Sequence, residues 1–119
     1  VTPASAEGEG EGGVSQGIGG ALNEEYIYNK QGKVAHPGFL AYRMPVCSDL
    51  PMIDTIMVEV PNPKHPQGVK GVGEVPLIPV MSAIANAVHN ALGKRFYSLP
   101  MSPPKVLEVI EGPTQQAAE

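Results

Sequence analysis

Residues 66–74, Pro66-Gln67-Gly68-Val69-Lys70-Gly71-Val72-Gly73-Glu74, end in a carboxylate delivered to the mouth of an apolar run. The three glycines of this loop let the backbone take positive φ values and let another body approach closely. Pro76 and Pro79 mark the start of a helix over 77–92 and Gly93 its stop, so Glu74 stands on a rigid pedestal that suits a general base. Such a base needs hydrogen-bond reach of the proton it takes. Taken by itself, the plainer reading is the stronger: a carboxylate at a helix N-terminus, stabilised by the macrodipole by about 0.3 to 1 kcal/mol. A phosphate-cradling loop would need Gly-Lys-Ser/Thr at its end, and a dinucleotide fingerprint would need glycine where Pro76 stands. Neither fits. Lys70 reads as a surface or phosphate-facing cation with no chemical step of its own.

A second set of candidates lies on a helix expected over 13–28, where Val14, Ile18, Ala21, Leu22 and Tyr26 share one face. Gly13, Gly17 and Gly20 share another, at about 1 kcal/mol per glycine relative to alanine in a helix interior. That cost implies close approach by something. From the residues alone, a second helix packing there is favoured over a cofactor whose polar edge meets the backbone and the Gln16 amide. Other chemistry-bearing residues are weaker. Cys47, between Pro45 and Pro51, has no histidine at a spacing that would activate it. His36, His65 and His89 contain no i, i+4 pair, so no metal held by the protein's own side chains is expected. His65 reads as a solvated loop residue and His89 as structural.

These residues must be positioned by the elements around them. The helix over 77–92 carries Leu77, Met81, Ile84, Val88 and Ala91 on a wide apolar face and Ser82, Asn86, His89 and Asn90 on a narrow polar stripe. Residues 29–33, Asn29-Lys30-Gln31-Gly32-Lys33, signal a turn whose flanks could pair briefly as a ribbon. Short strands are expected over 39–44, over 55–60 with Ile56, Val58 and Val60 on one face, and over 95–99. Ser102 should cap a brief helix opened by Pro103 and Pro104 and stopped by Gly112-Pro113. The fold class expected is α+β, with helices packed on a small mixed sheet. Residues 1–12 alternate glutamate and glycine and should be loose, residues 13–111 should form the folded piece, and 112–119 should be a disordered tail.

The run Gly68 to Glu74, followed by Ala83-Ile84-Ala85-Asn86-Ala87-Val88, Gly93, Arg95, Leu99-Pro100 and Ser102-Pro103, resembles the xanthine dehydrogenase and aldehyde oxidase family. Upstream, Glu11-Gly12-Gly13-Val14-Ser15-Gln16-Gly17-Ile18-Gly19, then Glu24-Glu25, and 42–51 ending in Asp49-Leu50-Pro51, are similar to that family in the same order. The resemblance covers residues 11–109 and is to the C-terminal part of the molybdopterin-binding large subunit. It implies that Glu74 is the base beside molybdenum, that Gln16 and Gly17 lie against the pterin cofactor, and that the backbone of Gly71, Val72 and Gly73 faces the metal centre. It further implies a molybdenum cofactor, in mono- or dinucleotide form, and iron–sulfur clusters and FAD on partner chains. The rest of the molybdopterin-binding subunit would be another partner, and the substrate a small molecule oxidised with water as oxygen source; aldehydes, N-heterocycles and carbon monoxide stay open, and polar Lys64, His65 and Gln67 incline the reading to an aldehyde or N-heterocycle. The departure lies in 1–12, where the family brings an extended strand into the glycine pair. That departure supports an alternative from a different class: a non-catalytic remnant or assembly module without a complete cofactor site.

Length and charge agree with a piece of something larger. The chain has 119 residues, 14 glycines and 13 prolines, a net charge of −4 and scattered basic residues. So much loop needs a scaffold, and nothing marks a nucleic-acid surface. A single cysteine supplies neither a disulfide framework nor an iron–sulfur cluster. No membrane span is expected, because no apolar run approaches the length needed, and a cytoplasmic location is the simplest expectation.

Overall fold

The computed structural model describes residues 2–112. Helix α1 (Pro3–Leu22) is followed by a long irregular stretch holding a 3-10 turn at Cys47–Asp49, then by a 3-10 turn at Val75–Leu77, helix α2 (Val80–Leu92) and helix α3 (Pro103–Glu111). α1 begins at Pro3 and not at Gly13, so the segment 1–12 expected to be loose is, from Pro3 onward, helix. Proline in the first turn gives up an N–H that a helix start leaves unpaired anyway. The glycines along α1 cost helix stability, and neighbours packed closely against them offset it. A methyl placed on Gly10 would meet Thr55 at 3.0 Å, on Gly13 Pro76 at 3.0 Å, and on Gly17 Val80 at 2.5 Å. Only glycine lets these segments come so near.

α2 ends where the sequence indicates: Gly93 takes φ +65° and its N–H bonds to the His89 carbonyl at 2.8 Å. Its start is later than expected, since the first turn from Val75 is 3-10 and the α-helix opens at Val80. Val80 is buried against Gly17, whereas Met81, Ile84 and Val88 are half-buried and Ala91 is exposed, so much of the wide apolar face is uncovered. The segment leading into α3 is tied to α1 by the Met101 N–H on the Ala21 carbonyl at 2.7 Å, and α3 itself to the residues just after α1 by a Lys105–Glu25 ion pair at 2.9 Å. Ser102 sits at its N-cap position without a side-chain cap bond, and Gly112 closes it. The expected tail beyond Gly112 lies outside the described residues.

The expected small mixed sheet is absent among the described residues. A single antiparallel bridge, Tyr28 to Val34, closes the turn at 29–33 as anticipated, with Gly32 at φ +76°. Residues 39–44, 55–60 and 95–99 are not in strands, because no second segment of the described chain runs beside any of them to complete a ladder. α2 therefore lies on α1 and not on strands.

The expectation of no membrane-length apolar run also needs correcting. Val75–Leu92 is 18 residues long with a mean hydropathy of 1.3. Its α-helical part, the 13 residues of α2, rises about 20 Å, short of the roughly 30 Å of a bilayer core. Val80 seats it on α1, and the rest of its apolar face is left uncovered.

Little of the molecule is core. Among the described residues the buried apolar side chains are Ala21, Val80, Pro100 and Met101, and the accessible surface is 9592 Å². A compact monomer of 12.5 kDa exposes about 6,200 Å². The Cα radius of gyration, 18.6 Å, likewise exceeds the roughly 14 Å of a compact domain this long. The excess surface is apolar: Phe39, Leu40, Met52, Ile56, Val58 and Tyr97 are among the large side chains left bare.

Candidate functional site

The glycine loop hangs from a closed turn. The Asn62 N–H bonds to the Gly68 carbonyl at 2.9 Å, the Gly68 N–H to the His65 carbonyl at 2.9 Å, and Gly68 takes φ +69°, a conformation costly for any residue with a Cβ. His65 belongs to this turn, since its Nδ1 accepts the Gln67 N–H at 3.2 Å. At its far end the loop is fixed by Pro76 and Leu77, which lie directly on Gly13 of α1. Between these anchors the backbone is open. Nothing lies within 4 Å of where a Cβ on Gly71 would be, and only the Glu9 carboxylate, at 3.7 Å, lies near that of Gly73. Val72 is half-buried.

Glu74 is the N-cap residue of the 3-10 turn, its carbonyl accepting the Leu77 N–H at 3.2 Å. Its own side chain is exposed and makes no hydrogen bond or ion pair among the described residues. The 3-10 turn thus sets where Glu74 stands, and no described side chain engages its carboxylate.

Gln16 and Gly17 are neighbours in sequence but face different ways. Gly17 is buried beneath Val80, so the helix-packing explanation of the glycine face applies at this position. Gln16 is exposed and lines a depression of about 420 Å³ with Gly12, Ser15, Glu24, Met44 and Pro45. The structure thus anchors Pro76 and Leu77, just after the loop, on Gly13 of α1, and puts Gln16 about one turn further along the same helix. Glu74 is not a wall of the Gln16 depression.

One polar pair escaped the sequence reading. The Tyr42 hydroxyl donates to Glu24 at 2.9 Å, and the Tyr26 ring lies 5.7 Å from that of Tyr42. The hydrogen bond to Glu24, then burial, then the nearby negative charge hold the Tyr42 hydroxyl above its ordinary pKa of 10.0. The signal in the sequence was Glu24 and Tyr42 themselves, 18 residues apart with nothing to show that they meet. Cys47 is exposed, and no cluster of metal-ligating side chains occurs among the described residues.

Residues 1–51 match the family described as molybdopterin cofactor-binding domain. The chain is 43% identical over 109 residues to the putative xanthine dehydrogenase molybdenum-binding subunit XdhA of Escherichia coli strain K12, covering 91% of this chain and 14% of that protein. It is 38% identical over 108 residues to the aldehyde oxidoreductase of Megalodesulfovibrio gigas, covering 90% of this chain and 12% of that one. The crystal structure of quinoline 2-oxidoreductase from Pseudomonas putida 86 superposes with a TM-score of 0.84 at 32% identity, over 93% of this chain and 14% of that chain. The chain belongs to the xanthine dehydrogenase and aldehyde oxidase family of molybdenum enzymes, whose cofactor is molybdopterin. It spans about 14% of the length of the curated relatives it matches.

Proposed function

We propose that this chain is the part of a molybdenum-dependent hydroxylase that supplies the catalytic base, Glu74, and two of the segments facing the cofactor. The observation that carries this reading is Glu74 itself: exposed, without a partner among the described residues, and fixed at the end of a loop clamped on α1. The residues present suit molybdopterin. Gly71 leaves open space where a side chain would intrude, so the 71–73 backbone can come close to a flat cofactor, and Gln16 has an unengaged amide beside a depression. Gly17 serves this site indirectly, by letting Val80 and with it α2 settle on α1.

When bound, the cofactor would supply the two-electron redox centre. Glu74 would take the proton released as the oxygen of water is transferred to an electrophilic carbon of an aldehyde or N-heterocycle. The backbone fixes where Glu74 stands, and positioning of that kind lowers a barrier. Polar Lys64, His65 and Gln67 lie in the turn before the loop and suit a carbonyl or ring nitrogen better than a diatomic gas. Electrons would leave through iron–sulfur clusters and FAD on partner chains, and the remainder of the molybdopterin-binding subunit would complete the pocket.

One observation favours a second reading, an assembly module that binds no cofactor. The Glu9 carboxylate lies beside Gly73, where an anionic cofactor would meet like charge. Molybdenum analysis of the chain purified alone and with its partner subunits separates the two. Metal found only with the partners is the expected result; metal in neither preparation would establish the assembly module.

A further inference from the structure

The depression beside Gln16 is built from segments far apart in sequence: Gly12, Ser15 and Gln16 of α1, then Glu24, then Met44 and Pro45 of the irregular stretch. Little holds the last of these in place. Every backbone hydrogen bond that residues 36–50 make stays within 36–50. Among the described residues, one hydrogen bond joins that stretch to the rest of the chain: the Tyr42 hydroxyl donates to the Glu24 carboxylate at 2.9 Å. Such a bond, with an ionised acceptor, is roughly twice as strong as one between neutral groups. Glu24 is itself fixed twice to the last turns of α1. Its N–H bonds to the Gly19 carbonyl at 2.8 Å, and its carboxylate fills the space that a Cβ on Gly19 would need, with Pro45 2.9 Å from the same point. Glycine at 19 is what lets this side chain fold back on the helix. The Tyr26 ring, 5.7 Å from that of Tyr42 and tilted by 35°, steadies the ring that carries the hydroxyl.

We propose that Tyr42, acting through Glu24, is a positioning residue for the cofactor: the clasp of Tyr42, Glu24 and Gly19 holds Met44 and Pro45 against α1 and so fixes the shape of the depression that the Gln16 amide serves. The inference rests on reading Gln16 as a cofactor contact. Tyr42 does not line this depression, so it works at one remove, on a wall two residues along the chain. A binding amide is effective only while the groups around it hold it and its ligand in one geometry, and supporting hydrogen bonds are what supply that hold. With the hydroxyl gone, no other hydrogen bond among the described residues would keep Met44 and Pro45 beside Gln16.

The test is the rate at which the purified, assembled enzyme loses its cofactor after dilution, read as released pterin fluorescence and as molybdenum retained on the protein. Gln16→Ala and Tyr42→Phe, which keeps the ring and removes only the hydroxyl, should each speed the loss by about tenfold. The double variant should be no more than about twice as fast as the faster single one, because the Gln16 amide contributes little once its surroundings are loose. A merely structural role for Tyr42 would not give this coupling, since independent effects multiply, here to about a hundredfold. Glu24→Ala should behave as Tyr42→Phe does, and Glu24→Gln, whose side-chain oxygen still accepts the hydroxyl, should recover most of the retention. Gly19→Ala, which displaces the carboxylate, approaches the same clasp from the helix side and should shed cofactor as Tyr42→Phe does. A hundredfold loss in the double variant, or wild-type retention by Tyr42→Phe while Gln16→Ala sheds cofactor, would overturn the proposal and leave the Gln16 contact standing. Wild-type retention by Gln16→Ala would overturn both.

Discussion

At the scale of single residues, the site rests on what two glycines permit and what two carboxylates meet. Gly17 has Val80 where a Cβ would go, at 2.5 Å, whereas Gly12 has nothing within 4 Å. Gly17→Ala should therefore destabilise the assembled protein by about 1 to 3 kcal/mol, as overpacking does, while Gly12→Ala should stabilise it by up to about 1 kcal/mol through helix propensity. Thermal melts of the two variants against wild type check the opposite signs. Glu24, with Tyr42 as donor, gives a pH prediction. The folded-state pKa of Tyr42 is raised above 10.0, so the pair's contribution to stability is fully present below the unfolded value and fades as pH rises through the folded one. An ultraviolet phenolate titration of wild type against Tyr42→Phe should show this hydroxyl ionising later than an ordinary tyrosine. Glu24→Gln, which removes the negative charge, should bring it back towards the ordinary value. That Glu74 stands at the end of a glycine loop just before a helical turn was legible because those features are local in sequence; the Tyr42–Glu24 contact was not, because only the folded chain brings them together.

At the scale of elements, the stops and turns could be read and the partners could not. Gly93 ending α2, Gly32 in the turn and Gly112 after α3 behave as their backbone freedom dictates. These are local effects, fixed within a few residues. The beginning of α1 failed as a reading because alternating Glu-Gly has poor helix propensity, and only contacts far along the chain, with Thr55 and Pro76, offset that cost. The strands failed for the opposite reason. The alternation at 52–58 is real in the pattern of burial, but a strand is defined by its neighbour and the described chain offers none. The element that carries the site, the 3-10 turn Val75–Leu77, owes its position to Gly13, so bulk at Gly13 should disturb Glu74 from a distance. In the assembled enzyme, Gly13→Val should reduce turnover more than it reduces helix content by circular dichroism; equal losses would show mere unfolding.

At the scale of the whole molecule, the chain exposes 9592 Å² where a compact protein of its mass exposes about 6,200 Å². Such a surface is consistent with a body that is covered by others, as the 14% share of its relatives' length suggests. Composition had pointed the same way, since 14 glycines and 13 prolines in 119 residues leave little to build a core of its own. What composition could not show is which faces are bare: one side of α2, the aromatic loop around Phe39, and the outer face of 52–60. All of this serves one chemical claim, that Glu74 is a base held free at the end of the glycine loop. The most direct measurement is steady-state turnover of the assembled enzyme carrying Glu74→Gln, with molybdenum content determined on the same preparation. General-base assistance is worth about 10² to 10⁴ in rate, so turnover should fall by that factor with molybdenum unchanged; turnover within a few-fold of wild type at full molybdenum loading would contradict the claim.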